Sequence, residues 1–193
     1  MDVQESKRLS RYSNEQKILV VGEGEFSFSL SLAKALGSAT NITAISLDIR
    51  EDLGRNYNSG KAKVEELERL GCTVVRGVNV HSMKSDDRLA HYDIIIFNFP
   101  HAGKRNKVFG GFMESAREMM KDEDGEIHIT LNTLNPFNKW DLKALAEEKG
   151  LRLIQRMQFI KWAFPSSSNK RASGSNCDFI YPIGSAITYM FKK

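Results

Sequence analysis

Apolar positions in this chain fall into short unbroken runs that alternate with stretches of helical period, and glycine separates many of them. Lys17 to Val21 is such a run and ends at Gly22; the period then becomes helical across Phe28, Leu30, Leu32, Ala33 and Leu36, closed by Gly37. This reads as strand, glycine turn, helix. Ile42 to Leu47 predicts a second buried strand, and Tyr57 to Leu70 a helix with Val64, Leu67 and Leu70 on its apolar side and Gly71 at its end. Thr73 to Val78 predicts a third strand, the β-branched Tyr92 to Phe97 a fourth, Val108 to Met120 a helix, Glu126 to Leu131 a fifth strand, and Trp140 to Glu148 a helix closed by Gly150.

Strands that alternate with helices of this length need crossover connections, which are right-handed and put helices on both faces of a mostly parallel sheet. The end of the chain breaks the alternation. Leu151 to Ile160 and Ser185 to Phe191 read as two strands with no helix between them, joined by Phe164 to Gly184, so they should pair antiparallel. The fold class is therefore α/β, a Rossmann-like doubly wound sheet with a C-terminal antiparallel strand pair. That is the pattern of class I methyltransferases, and nucleotide dehydrogenases are not expected to end this way. Residues 17–193 read as one domain, and residues 1–16, polar and mixed in charge, as a tail.

A chain of 193 residues can bury a substantial core without disulfides or metals. Its two cysteines, Cys72 and Cys177, form no CxxC pair and have no histidine at zinc spacing, so neither a disulfide framework nor a metal site is expected. No apolar stretch is long enough for a membrane helix, and a reduced setting, nucleus, nucleolus or cytoplasm, fits best. The net charge is +4. All of it resides after residue 160, where Lys161, Lys170, Arg171, Lys192 and Lys193 face only Asp178. Lys104, Arg105 and Lys107 make a second basic knot. Such clusters suit a polyanionic partner, although either can also be an ordinary solvated surface. Nothing in the pattern specifies an oligomeric state.

The first strand turns into its helix through Gly22-Glu23-Gly24-Glu25-Phe26-Ser27. Two glycines let a ligand approach bare backbone, but the third glycine of a dinucleotide loop is replaced by Ser27, and two carboxylates repel pyrophosphate. S-adenosylmethionine fits better, because its methionine end carries an ammonium and a sulfonium and no phosphate. Asp48 ends the second strand, where an acid accepts hydrogen bonds from ribose hydroxyls, or else caps a helix. Asn79 follows the third strand at the level of an adenine amino group; as a bare turn residue it would need no ligand.

The fourth strand delivers Asn98-Phe99-Pro100-His101 at its carboxyl end, the edge where open α/β sheets bind ligands. The tetrapeptide is similar to the Asn/Asp-Pro-Pro-aromatic motif of amino-directed methyltransferases. There a polar side chain and a carbonyl hold the target nitrogen while an aromatic face supports the base. Phe99 or His101 can stack a planar base. A proton acceptor is needed whose ordinary range lies near neutrality, for which a histidine is the obvious choice, so His101 is the candidate base, or else a loop histidine that bonds a backbone carbonyl. His81, His91 and His128 show no converging spacing and read as structural, as does the Met113, Ala116, Met120 stripe of the fourth-strand helix.

Two longer stretches, Val20 to Ser29 and Ile95 to Gly103, together with Gly125 to Leu131 and Trp140, resemble the ribosomal RNA (25S rRNA) uridine-N3 methyltransferase-like domain family over about residues 17–191. The resemblance implies an S-adenosylmethionine-dependent enzyme acting on N3 of a uridine in large-subunit ribosomal RNA. It implies Gly22, Glu23, Gly24 and Phe26 around the cofactor, Asp48 on its ribose, and Asn98, Phe99, Pro100 and His101 facing the base; Ser27 and Asn79 are candidate cofactor contacts beside them. Lys104, Arg105, Lys107, Lys170 and Arg171 are then expected on RNA phosphates. Two departures stand out: Asn79 replaces a common acid, and Phe164 to Ser168 lacks the Tyr-Pro-Gly-Tyr character. The competing readings are methylation of a small molecule or protein, and a non-catalytic module that binds S-adenosylmethionine or RNA and keeps the fold.

Overall fold

The computed structural model describes residues 5–23, 26–46, 60–100, 105–133, 140–160, 163–164 and 185–193, with residues 105–107 described as backbone only. The first element is one the sequence reading of a polar tail does not contain. Arg8–Leu9 (β1) and Tyr12–Ser13 (β2) pair antiparallel around Ser10, whose φ of 55° closes the turn. Then come β3 (Ile18–Val21), α1 (Ser27–Leu36), β4 (Ile42–Ser46), α2 (Gly60–Arg69) and β5 (Thr73–Arg76). A short 3-10 turn at Met83–Ser85 precedes β6 (Ile94–Asn98), α3 (Arg105–Met119), β7 (Glu126–Asn132), α4 (Leu142–Glu148), β8 (Arg152–Gln158) and β9 (Ala186–Lys192).

Seven strands form one sheet in the order β5-β4-β3-β6-β7-β9-β8. Every pair from β5 to β7 is parallel, while β9 runs antiparallel to both β7 and β8. The antiparallel end is the arrangement expected of two consecutive strands whose connecting sequence carries no helical pattern. Strand β3 is buried along its whole length, so its two faces feed two cores. Leu19 and Val21 join Phe109, Phe112, Met113 and Ala116 of α3 and Leu142 and Ala146 of α4. Ile18 and Val20 join Phe28, Leu32 and Leu36 of α1 and Val64 and Leu67 of α2.

The hairpin packs onto the second face, where Tyr12 and Leu9 join the α1 core. Tyr12 is buried there, and its hydroxyl donates to Nδ1 of His128 at 3.0 Å. Nε2 of His128 in turn donates to Glu126 at 2.7 Å, which fixes the neutral tautomer. Burial lowers the His128 pKa, and the histidine's hydrogen bond lowers that of Glu126. His128 is thus a satisfied core histidine, as its alternation with Ile127 and Ile129 suggests. Cys72 is a buried free thiol whose pKa burial pushes up to about 12. Among the described residues no helix is long and apolar enough to cross a membrane, and no cluster of three or more His, Cys, Asp or Glu could hold a metal.

Candidate functional site

Val21 of β3 and Phe97 of β6 are register partners in the centre of the sheet. From β3 the chain crosses to β4 on one side, while β6 lies on the other, so the residues after each strand part at a topological switch point. Gly22 and Asn98 therefore leave the sheet edge side by side. Gly22 has φ +73°, and a Cβ there would meet Cε2 of Phe97 at 2.4 Å. The glycine is demanded by the aromatic ring of the neighbouring strand as well as by the turn.

Helix α1 begins without a cap from its own first residue. Phe26 at the N-cap has φ 61° and offers no side-chain acceptor. Glu23 supplies it: its carboxylate accepts the N–H of Phe28 at 2.8 Å and the N–H of Ser29 at 3.1 Å, and the Ser29 hydroxyl also donates to it. These are the donors that a helix otherwise leaves unsatisfied, at the end where its dipole attracts an anion. An internal carboxylate therefore occupies the position a pyrophosphate would need. The acidic loop does disfavour phosphate, and the structure adds the reason that Glu23 has already taken the amides.

Beside it, Asn98 ends β6 half-buried, and its amide makes no hydrogen bond to any described residue. Phe99 has φ 48°, and its N–H donates to Thr130 O of β7 at 2.8 Å. Phe26, Phe99 and Ser10 are the non-glycine residues with positive φ among those described, and two of the three stand on this edge. Such conformations cost free energy and persist where the surroundings over-determine them. Here the determinant is aromatic. The Phe99 ring sits edge-on to Phe159 at 5.3 Å and 89°, Phe159 stacks on Phe164 at 5.6 Å, and Phe164 meets Phe28 of α1 at 4.7 Å. Pro100 is buried.

Of the residues expected around a cofactor, Gly22 and Glu23 lie on this edge. The Phe26 ring is fully buried in the α1 core, so only its backbone is available to a ligand, and Ser27 is buried as the first residue of α1. Asn79 is exposed, and its side-chain oxygen accepts the N–H of His81 at 2.9 Å, the turn role that needs no ligand. Phe99 joins the aromatic cluster through its ring. Gly24, Asp48, His101, Lys104, Lys170 and Arg171 lie outside the described residues, and Arg105 and Lys107 are placed only as backbone in the first turn of α3. The sequence marks Phe164 only as the start of a segment that departs from the family pattern and Phe159 only as part of an expected strand; neither carries a local signal that pairs it with Phe99.

Residues 19–171 match the family model BMT5-like, described as rRNA (uridine-N3-)-methyltransferase BTM5-like. The chain is 43% identical to uncharacterized protein At4g26485 of Arabidopsis thaliana, covering 99% of both chains. It is 37% identical to heavy metal-associated isoprenylated plant protein 41 of the same plant, covering 99% of this chain and 40% of that protein. Among solved structures, N-methyltransferase NodS from Bradyrhizobium japonicum WM9 in complex with S-adenosyl-L-homocysteine superposes with TM-score 0.56 at 11% identity, over 91% of this chain and 76% of that one. That likeness is one of fold. With a family model spanning both motifs of the central edge, the chain belongs to the BMT5-like rRNA methyltransferase family, built on the class I methyltransferase fold.

Proposed function

We propose that this protein is an S-adenosylmethionine-dependent RNA methyltransferase that modifies N3 of a uridine in large-subunit ribosomal RNA. The observation that carries the reading is the pairing, on one sheet edge, of a loop whose helix amides are taken by Glu23 with an unpartnered amide on Asn98. The first leaves no place for a phosphate and suits a cationic, phosphate-free donor. The second is a hydrogen-bonding group waiting for a partner. When bound, S-adenosylmethionine supplies an electrophilic methyl on its sulfonium.

The chain's own residues have the remaining tasks. Asn98 and the carbonyl of Pro100 hold the edge of an extruded uracil, and His101 accepts the imide proton so that N3 becomes nucleophilic. Positioning supplies most of the acceleration, since proximity alone is worth about 7–11 kcal/mol. A paired uridine hides N3, so the substrate is single-stranded or flipped. The helix α3 start, with Arg105 and Lys107, Lys104 before it, and Lys170 and Arg171 beyond, grip phosphates. A ribosomal substrate puts the enzyme in the nucleolus or the cytoplasm.

Methyl transfer from labelled S-adenosylmethionine to ribosomal RNA transcripts, followed by nucleoside mass spectrometry, tests this. The expected product is 3-methyluridine, lost in Asn98→Ala and slowed in His101→Ala. Equal rates for His101→Ala and the unmodified chain remove the base role. Methylation only of small molecules or proteins rejects the RNA reading.

A further inference from the structure

The N-terminal hairpin and the end of β8 enclose a groove that the reaction described above does not use. Buried Tyr12, Phe164 and Met190 form its floor, and exposed Arg11, Gln158 and Ile160 stand at its rim. It is a small groove, partly open to solvent. It is also continuous with the candidate site, because Phe159 lines the groove while its ring packs edge-on against Phe99.

Three features identify the occupant. Ile160 is the one large apolar side chain exposed among the described residues, at 43%, and it stands where a flat apolar ligand could cover it. Gln158 offers an amide beside it that can both donate and accept. Arg11 lines the groove and Arg8 stands three residues before it on the hairpin; both are exposed, and neither forms an ion pair among the described residues. A base lying on an apolar floor, read at its edge by an amide and flanked by guanidinium forks on phosphates, is the chemistry of single-stranded nucleic acid recognition. A peptide occupant has no phosphates, and would leave the two guanidiniums unmatched unless it brought carboxylates to both.

We infer that this groove binds a nucleotide adjoining the target uridine, with Arg8 and Arg11 on the flanking phosphates, Gln158 on the base edge and Ile160 on the base face. The inference rests on the RNA reading of the central site and adds the path of the strand, from Asn98 past Phe159 to the hairpin. The hairpin thereby becomes part of the substrate surface as well as a cover for the sheet.

Fluorescence anisotropy of the full chain with a labelled single-stranded oligouridylate decides it. The Arg8→Gln/Arg11→Gln double variant is expected to bind about tenfold or more weakly at about 0.15 M salt, with the salt slope reduced by about 1.4, two contacts at about 0.7 each. Ile160→Asp is expected to weaken binding by a similar factor. Calorimetric titration with S-adenosylhomocysteine should be the same for all variants, which shows that they are folded. Equal affinity and equal salt slope for the double variant and the unmodified chain overturn the groove assignment while leaving the RNA reading in place. Failure of the unmodified chain to bind either the oligouridylate or ribosomal RNA transcripts overturns both. A changed oligomeric state in the variants with unchanged RNA affinity assigns the groove to a second copy and also overturns it.

Discussion

The carboxylate of Glu23 accepts the backbone N–H of Phe28 at 2.8 Å, capping a helix whose own N-cap residue, Phe26, has no acceptor to give. One acid thereby fixes the path of the glycine loop, satisfies the first turn of α1 and denies that turn to phosphate.

Replacing Glu23 should therefore act on stability before it acts on chemistry. Glu23→Ala leaves the Phe28 and Ser29 amides to water and is expected to cost about 1–2 kcal/mol, read as a lower urea midpoint with unchanged slope. Glu23→Gln keeps an acceptor oxygen and should lose only part of that. An alanine variant as stable as the unmodified chain would show that the cap is dispensable.

Gly22 is held by its neighbour. A Cβ at that position would stand 2.4 Å from Cε2 of Phe97, on a backbone with φ +73°. Gly22→Ala should destabilise by about 2–4 kcal/mol, combining left-handed strain with overpacking. Adding Phe97→Leu removes the overpacking share alone. Thermal midpoints of the single and double variants separate the two, and no recovery in the double variant would place the whole cost in the backbone.

The Tyr12–His128–Glu126 chain predicts acid sensitivity. Burial lowers the His128 pKa below its ordinary 6.5, so the unfolded chain takes up a proton below that value while the folded chain resists it. Stability then falls with falling pH, by at most about 1.4 kcal/mol per unit from this group. Glu126, lowered by its hydrogen bond to His128, contributes stability above its ordinary 4.5 that is lost as pH falls through the lower folded value. Urea midpoints measured from neutral pH to about 5 should decline, and decline less steeply in His128→Gln. In Tyr12→Phe, which strands Nδ1 without its donor, an overall loss of about 1–2 kcal/mol is expected.

Phe159, just after β8, packs against Phe99, just after β6, across two intervening strands. Phe159→Ala should cost about 2–4 kcal/mol of stability. If Phe99 holds the backbone of the Asn98 motif through this contact, methyl transfer should fall well beyond the fraction unfolded, while S-adenosylhomocysteine binding is kept. Phe159→Leu should retain more of both. Loss of activity that merely tracks unfolding would make the contact structural only.

The order of strands and helices, the parallel sheet with an antiparallel end, and the two glycine- and proline-marked turns of the candidate site can be read along the chain. These are legible because hydrophobic period and turn chemistry are local, each settled within a few residues. The Asn79 turn and the core role of His128 were also within reach. The meetings of distant side chains are set only by packing: Tyr12 with His128 across 116 positions, and Phe99 with Phe159. A segment such as residues 5–16 looks polar along the chain because its single large buried ring, Tyr12, has no periodic company. Even Glu23, read from the sequence as a charge facing a ligand, spends that charge on amides five and six residues away. The pattern of a chain says which faces must be covered, but what covers them, and which polar group finds which partner, depends on how the covered faces pack in three dimensions.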